Sequence, residues 1–373
     1  MKILEYNVDD LGHGGVFALV KSVVKEKPKE IQIDIAAVEH FVEKQNIKNL
    51  QNEGCRVFEI GREGSKVIKQ IFCARNLYKL LKAEEYDCIH VHGDVANKLL
   101  IAALVSRFYG VKKIVLHSHA SGVDGSNRLL KKFFHSSTRW LLRFLGTDYV
   151  ACSRVAADWM FPNVARERVR LIKNGVQLDR FGFDENLRHL KRTELALAGK
   201  VVVGHVGRFA YQKNHEFLLR CFNMICNRHE NVALLLVGEG EGENHSKEYV
   251  EKNGLKDKVI FYGVTDNVGP LMMAMDVFFL PSHFEGLPIA GVEAQASGLP
   301  CAFSDKITRE ANILDTTVSI PICEGCESKW ADFFEAVVKN QEKYDRSKAI
   351  EVVKRSGFSI ESTIADFMNV YSN

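Results

Sequence analysis

Short apolar runs bounded by turn residues alternate along the chain with stretches whose apolar positions recur every three or four residues. Met1–Val8, Ile31–Val38, Arg56–Ile60, Cys88–His92, Lys113–His119, Tyr149–Ser153 and Val169–Lys173 read as strands. Val16–Lys25, Phe41–Gln51, Ser65–Lys82, Val95–Phe108, Arg128–Leu145 and Val155–Phe161 carry helical spacing between them. Asn174–Phe181 breaks the rhythm, and a second series follows with strands Val201–Val206, Val232–Val237, Lys258–Tyr262, Val277–Leu280 and Cys301–Ser304. Strand and helix alternating at this pace predict an α/β architecture of parallel, doubly wound sheets. A chain of 373 residues exceeds one comfortable core, so two Rossmann-like units in tandem are expected.

The remaining composition narrows the class. With 46% apolar and 26% charged residues, an ordinary soluble protein is expected, and no run reaches the roughly 18–20 apolar residues of a spanning helix. Met1-Lys-Ile-Leu-Glu-Tyr6 enters a strand directly and lacks the regions of a signal peptide. Nine cysteines at scattered spacing suit a reducing compartment, which points to the cytoplasm. Charge is uneven: residues 1–180 carry +9 and residues 181–373 carry −6. A basic first half is expected to face something anionic.

One stretch carries the chemistry. Asp276–Pro281 reads as a buried strand, Pro281, Gly286 and Pro288 as a turn, and Ile289–Ser297 as a helix ended by Gly298 and Pro300. The first amides of such a helix are unpaired and suit a phosphate. Glu285 and Glu293 stand beside that anion site, where a carboxylate is repelled unless it has another task. Accepting hydrogen bonds from sugar hydroxyls is such a task, because a carboxylate only accepts. Phosphate plus hydroxyl acceptors describes a nucleotide-sugar site.

The segment F-E-G-L-P…E-A-x-A-S-G-L-P, with seven residues between Glu285 and Glu293, resembles the signature of glycosyltransferase family 4. These are retaining, metal-independent enzymes of the GT-B fold, in which two Rossmann-like domains face a central cleft. Within the family, the chain is most similar to bacterial exopolysaccharide and capsule members. The resemblance implies an acceptor-side domain 1–175 joined by a C-terminal helix 358–373, and a nucleotide-sugar domain 176–357. It further implies that Arg208 and Lys213, in Val206-Gly-Arg-Phe-Ala-Tyr-Gln-Lys213, hold the diphosphate. An Arg fork and a Lys point charge would stabilise the leaving group where no metal does. Gly286, Leu287, Pro288 and Ile289 would line the phosphate, Glu293 the ribose, Glu285 the donor sugar, and Val264 and Asp266 the base. In the first domain, Gly14 and Gly15 would let the backbone approach the donor, although Val16-Phe17 departs from the usual alanine-glutamate. His119 is the expected donor-sugar contact, with His117 as the alternative on the opposite strand face.

The remaining motifs are weaker. Gly12-His-Gly-Gly15 is not G-x-G-x-x-G, so Glu39 near the end of the second strand does not mark a dinucleotide site. Gly238-Glu-Gly-Glu-Gly-Glu243 would repel phosphate and reads as an acidic edge loop. Cys323-Glu-Gly-Cys326 is a lone C-x-x-C and reads as a loop. In Arg128–Leu145, the basic positions Arg128, Lys131, Lys132, His135, Arg139 and Arg143 fall on one face. Leu129, Leu130, Phe133, Phe134, Trp140, Leu141, Phe144 and Leu145 take the other. Such a helix suits an anionic membrane surface, or equally a domain helix with its apolar side inward. The expected activity is transfer of a hexose from a nucleotide sugar, UDP-linked by preference, to a glycan on a lipid, with no cofactor, metal or nucleic-acid partner. A nucleotide-sugar 2-epimerase of the same fold and a non-catalytic nucleotide-sugar scaffold remain alternatives.

Overall fold

The strands pair in parallel, so each consecutive pair needs a crossover, and helices supply it. The computed structural model describes residues 1–10, 15–62, 64, 66–125, 127–340 and 344–372. Met1–Gly175 with Ile360–Asn373 forms one unit and Val176–Ser359 a second. In the first unit β1 (Lys2–Tyr6), β2 (Gln32–Ala37), β3 (Val57–Glu59), β4 (Cys88–Gly93), β5 (Lys113–Ser118), β6 (Asp148–Ala151) and β7 (Val169–Leu171) form one sheet. Their spatial order is β3-β2-β1-β4-β5-β6-β7. In the second, β8 (Val201–Val206), β9 (Val232–Val237), β10 (Val259–Gly263), β11 (Val277–Leu280), β12 (Cys301–Ser304) and β13 (Thr317–Ile320) run in the order β10-β9-β8-β11-β12-β13. Each sheet reverses direction of winding once, at β1/β4 and at β8/β11. Ligands of such sheets sit beyond the strand ends at that reversal.

The apolar runs are continuous because both faces of a parallel sheet are covered. Leu234, Leu236 and Phe279 of the second sheet lie with Phe222 and Trp330 in one buried cluster. The helix Ile360–Ser372 belongs to the first unit, where Ile364, Phe367 and Val370 join the core that contains Ile3 and Val23. Cys323 and Cys326 are joined as a disulfide in the loop ahead of the helix Glu327–Lys339. No helix among the described residues is long and apolar enough to cross a membrane.

One buried acid fastens the second sheet. Asp276, ahead of β11, accepts from Arg188 Nη2 at 2.5 Å, from Arg192 Nη1 at 3.1 Å and from the Val202 amide at 2.7 Å. The carboxylate thus ties the helix Glu185–Glu194 to the adjacent starts of β8 and β11.

Of the two arrangements open to Arg128–Leu145, the one with its apolar side inward is not found: most of that side is exposed. An α-helix, Arg128–Thr138, passes into the 3-10 segment Arg139–Phe144. Leu129 is 87% and Phe133 66% exposed, and Leu130, Phe134, Trp140 and Phe144 are exposed with them. On the other side His135 is fully buried and stacks on Trp159 at 4.0 Å. Its Nδ1 accepts from the Ala96 amide at 3.0 Å, and its Nε2 donates to the Trp159 carbonyl at 3.1 Å. Arg139 Nη1 donates to that same carbonyl at 2.7 Å, and Lys131 Nζ to the Asp124 carbonyl at 2.8 Å. Trp159 lies in the last turn of the helix Arg154–Met160, where carbonyls lack an intrahelical partner, and His135 and Arg139 supply one.

Candidate active site

Two loops at the β8/β11 reversal are bound to one another. Arg208 and Lys213 follow β8, and Ser282–Pro288 follows β11. Lys213 Nζ donates to Glu285 Oε1 at 2.8 Å, and Gln212 Nε2 donates to Glu285 Oε2 at 3.0 Å and to the Phe284 carbonyl at 3.2 Å. The His283 amide donates to the Gln212 carbonyl at 2.8 Å, and the rings of Tyr211 and His283 stack at 4.2 Å. Both oxygens of the buried Glu285 carboxylate therefore have partners, so its direction is set before any ligand arrives. Arg208 is exposed.

The Gly238–Glu243 stretch braces the first of these loops, which gives its glycines a purpose that an acidic edge does not. The Phe209 amide donates to the Glu239 carbonyl at 2.9 Å, and the Gly242 amide to the Phe209 carbonyl at 2.9 Å. Gly238 and Gly240 have φ of 135° and 152°, and a Cβ there would lie 2.3 Å from the Gly207 oxygen and 2.6 Å from the Phe209 oxygen. Only glycine permits that approach.

The helix after the second loop runs Ile289–Ala296 with Pro288 at its start. Gly286, Leu287 and Pro288 are buried, and Ile289 is half-buried. The Gly291 and Val292 amides return to the Pro288 carbonyl, so the helix begins tightly. Glu293 lies half-buried in its second turn. Burial raises its carboxyl to about 7, against the opposing charges of Arg180 and Lys213. Arg180 donates to the Asp266 carbonyl beyond β10, and Val264 is exposed beside it. Sequence reasoning missed Arg180 and Gln212. Arg180 stands in the aperiodic joint between the units, and Gln212 lies between two named cations; neither carries a motif of its own.

Of the first-unit candidates, Gly14 lies outside the described residues and Gly15 opens the helix Gly15–Glu26. His119 follows β5, its amide donating to the Gly93 carbonyl at the end of β4 at 3.1 Å. His117 does not point away from it: residues two apart along a strand share a face, and the two rings lie 3.9 Å apart. Four histidines gather here from two H-x-H pairs, His90/His92 on β4 and His117/His119 on and just after β5. That repetition was visible in the sequence but unused. His92 Nδ1 meets His119 Nε2 at 2.8 Å and His92 Nε2 meets Glu5 Oε2 at 2.6 Å. Tyr371 donates to Glu5 Oε1 at 2.5 Å and meets His90 Nδ1 at 2.7 Å, while His90 Nε2 meets His117 Nδ1 at 3.1 Å. Burial alone would raise the Glu5 carboxyl, but the pull and hydrogen bonds of His90 and His92 hold it well below its ordinary value. His90, His92 and His117 bring ligand atoms within 4.8 Å of one another, the one such group of three or more among the described residues. Five of their six ring nitrogens are engaged in hydrogen bonds, and no metal is assigned to them.

Two parallel, doubly wound units in tandem are the architecture of the GT-B fold. HepE from Anabaena, solved with UDP and glucose, shares this fold at a TM-score of 0.80 and 18% identity, over 100% of this chain and 99% of that one. Sucrose-phosphate synthase from Thermosynechococcus elongatus shares it at 0.78 and 17%, over 100% and 98%. The chain belongs to glycosyltransferase family 4: residues 14–180 match the model described as Glycosyltransferase Family 4, and residues 188–350 that of Glycosyl transferases group 1. It is 31% identical over 312 residues to EpsF of Bacillus subtilis (strain 168), a protein assigned to the glycosyltransferases, spanning 80% of this chain and 78% of that one. It is 30% identical over 250 residues to the UDP-Gal:alpha-D-GlcNAc-diphosphoundecaprenol alpha-1,3-galactosyltransferase of Escherichia coli, spanning 64% of this chain and 63% of that one. The capsular polysaccharide biosynthesis glycosyltransferase CapM of Staphylococcus aureus is 30% identical over 184 residues, 47% of each chain.

Proposed function

We propose that this chain is a retaining, metal-independent transferase that moves a hexose from a UDP-sugar to a glycan carried on a membrane lipid, at the cytoplasmic face. The observation that carries the reading is the Lys213–Glu285–Gln212 lock beside the start of the helix Ile289–Ala296. A diphosphate lying against Arg208, Lys213 and the start of the helix Ile289–Ala296 would meet two cations and the positive end of the helix dipole together. Glu293 then accepts from the ribose, Val264 and Asp266 hold the base through backbone groups, and Glu285 accepts from the donor sugar. Gly14, Gly15 and His119 are the further donor contacts that the family resemblance implies. The acceptor hydroxyl attacks from the side of the leaving group and passes its proton to the departing phosphate oxygen. No carboxylate serves as nucleophile, which agrees with Glu285 being engaged on both oxygens.

The donor is tested by thermal shift with UDP-, GDP- and ADP-sugars, since a ligand that binds the folded state raises the melting temperature. UDP-glucose is expected to give the largest rise. Glu293 adds a pH signature. Its raised value means the free protein holds a proton there between about 4.5 and 7 that the unfolded chain has lost, so this group's contribution to stability declines as pH rises through that window. Accepting from two ribose hydroxyls at once takes both oxygens of the ionised carboxylate, so UDP-glucose binding strengthens as pH rises through about 7 and levels off above. Glu293→Gln removes the step. Binding flat with pH in the unsubstituted protein removes Glu293 from the ribose. Release of an epimerised sugar nucleotide without acceptor decides for the epimerase.

The lipid-borne acceptor is supported by the named substrate of the Escherichia coli relative and by the outward apolar side of Arg128–Phe144. Residues 96–145 hold nine lysines and arginines against one aspartate. Exposed Phe108, Leu129, Phe133 and Phe144 among those cations suit the interface of an anionic bilayer. Vesicles of equal parts phosphatidylglycerol and phosphatidylcholine are expected to bind the protein, more weakly in salt. Phe133→Ser with Phe144→Ser lowers that affinity at least about tenfold, because a buried aromatic contributes about 1.5–3 kcal/mol. Concentration-dependent self-association abolished by the same pair, without vesicle binding, would assign the face to a second copy instead.

A further inference from the structure

We infer that Glu5 fixes the ring tautomer of His119 through His92, which leaves Nδ1 of His119 bare to accept a hydrogen bond from a hydroxyl of the donor sugar. The inference rests on the reading of His119 as a donor contact, and Glu5 and His92 are positioning residues within it.

The argument starts from what a carboxylate can do. Ionised Glu5 accepts and cannot donate. Its Oε2 lies 2.6 Å from His92 Nε2, so that nitrogen carries the proton. His92 is neutral at pH 7, because burial and its neighbour His90 bring it to about 4 despite Glu5. A neutral ring holds one proton, which leaves His92 Nδ1 bare. The 2.8 Å contact from that nitrogen to His119 Nε2 then requires His119 to be the donor. Burial and the nearby His92 and His90 also keep His119 neutral, so its one proton is spent inward and Nδ1 is the acceptor.

The other branch runs the same way. Tyr371 donates to Glu5 Oε1 at 2.5 Å, so its oxygen accepts from His90 Nδ1 at 2.7 Å. His90 Nε2 then accepts from His117 Nδ1 at 3.1 Å, and the chain ends at His117 Nε2, which is buried without a partner. A proton on that nitrogen would be a buried donor lacking an acceptor, a rarer and costlier arrangement than a bare acceptor. Donation directed toward Glu5 from both sides avoids it. The C-terminal helix, through Tyr371, thereby holds the second oxygen of the carboxylate that orients His119.

Two-bond ¹H–¹⁵N correlation of histidine-labelled protein at pH 7 reads the tautomers directly and needs no variant. The expected result is His119 protonated at Nε2 and bare at Nδ1. A proton on Nδ1, or on both nitrogens, overturns the inference. So does a stoichiometric shift of the His90, His92 and His117 nitrogens on adding Zn²⁺ alone, since the rings would then be ligands rather than a relay. His92→Phe keeps an aromatic ring between Glu5 and His119 but removes both nitrogens. It is expected to leave His119 as a mixture of tautomers and to lower kcat/KM for UDP-glucose about tenfold. In His119→Asn, whose carbonyl accepts without a tautomer to set, adding His92→Phe should change kcat/KM little. An equal loss in both backgrounds means His92 acts only on the fold. Unchanged transfer in His119→Ala removes the sugar contact while the tautomer assignment still stands or falls by its spectrum.

Discussion

Lys213→Ala is expected to lower kcat about 10²–10³-fold while leaving the fold intact, the cost typical of removing one preorganised group from developing charge. The side chain has two tasks that cannot be separated by distance alone. It neutralises Glu285 at 2.8 Å and stands where the leaving diphosphate gains charge. Charge stabilised only as the bond breaks appears in kcat, whereas charge already present on the bound donor appears in KM. A loss confined to KM would therefore remove Lys213 from the chemistry and leave it as a donor clamp. Glu285→Gln supplies the control. If Lys213 served mainly to hold Glu285, the double substitution would be no worse than the worse single one. With Lys213 also acting on the phosphate, the double variant falls below both. Arg208→Ala should also reduce transfer, because it removes a guanidinium from the side of the leaving diphosphate.

The largest expected loss of stability lies away from the site, at Asp276→Ala. That substitution leaves two guanidiniums, Arg188 and Arg192, facing each other with their common partner gone and the Val202 amide without its acceptor. Breaking a buried ion pair from one side costs about 3–5 kcal/mol. For a unit of this size that is a fall of about 6–20 °C in melting temperature. Asp276→Asn should fall less, since an amide oxygen still accepts from Val202. A melting temperature within about a degree of the unsubstituted protein would mean the two arginines find other acceptors, against the accounting for buried polar groups. They already donate to the Met273, Met275 and Ala274 carbonyls, which makes the measurement a real contest.

Much of the architecture was readable because it depends on period. Runs such as Val232–Val237 and Val277–Leu280 are apolar on both faces, which only a covered parallel strand tolerates, and they are strands. The helix Ile289–Ala296 announced itself by Pro288 before it and Gly298 after it, where φ is 71°. Arg208, Lys213 and Glu285 could be named in advance because each lies within seven residues of a strand end, and Glu293 because it sits in the helix that follows. Their placement is a matter of local chain direction.

What local pattern could not supply was the choice among partners. A helical wheel for Arg128–Leu145 separates basic from apolar positions correctly but says nothing about which side turns inward. The inward side is marked by His135, whose partner, the Trp159 carbonyl, lies 24 residues away along the chain. Likewise Glu5 and Tyr371 are separated by 366 residues, and neither belongs to a motif. The chain by itself determined the strands, the helices, the family and the loops that hold the candidate residues, since these follow from periodicity, turn chemistry and spacing. Only the tertiary structure decided which polar atoms meet: a hydrogen bond depends on the position of both ends, and one end of each was elsewhere in the sequence.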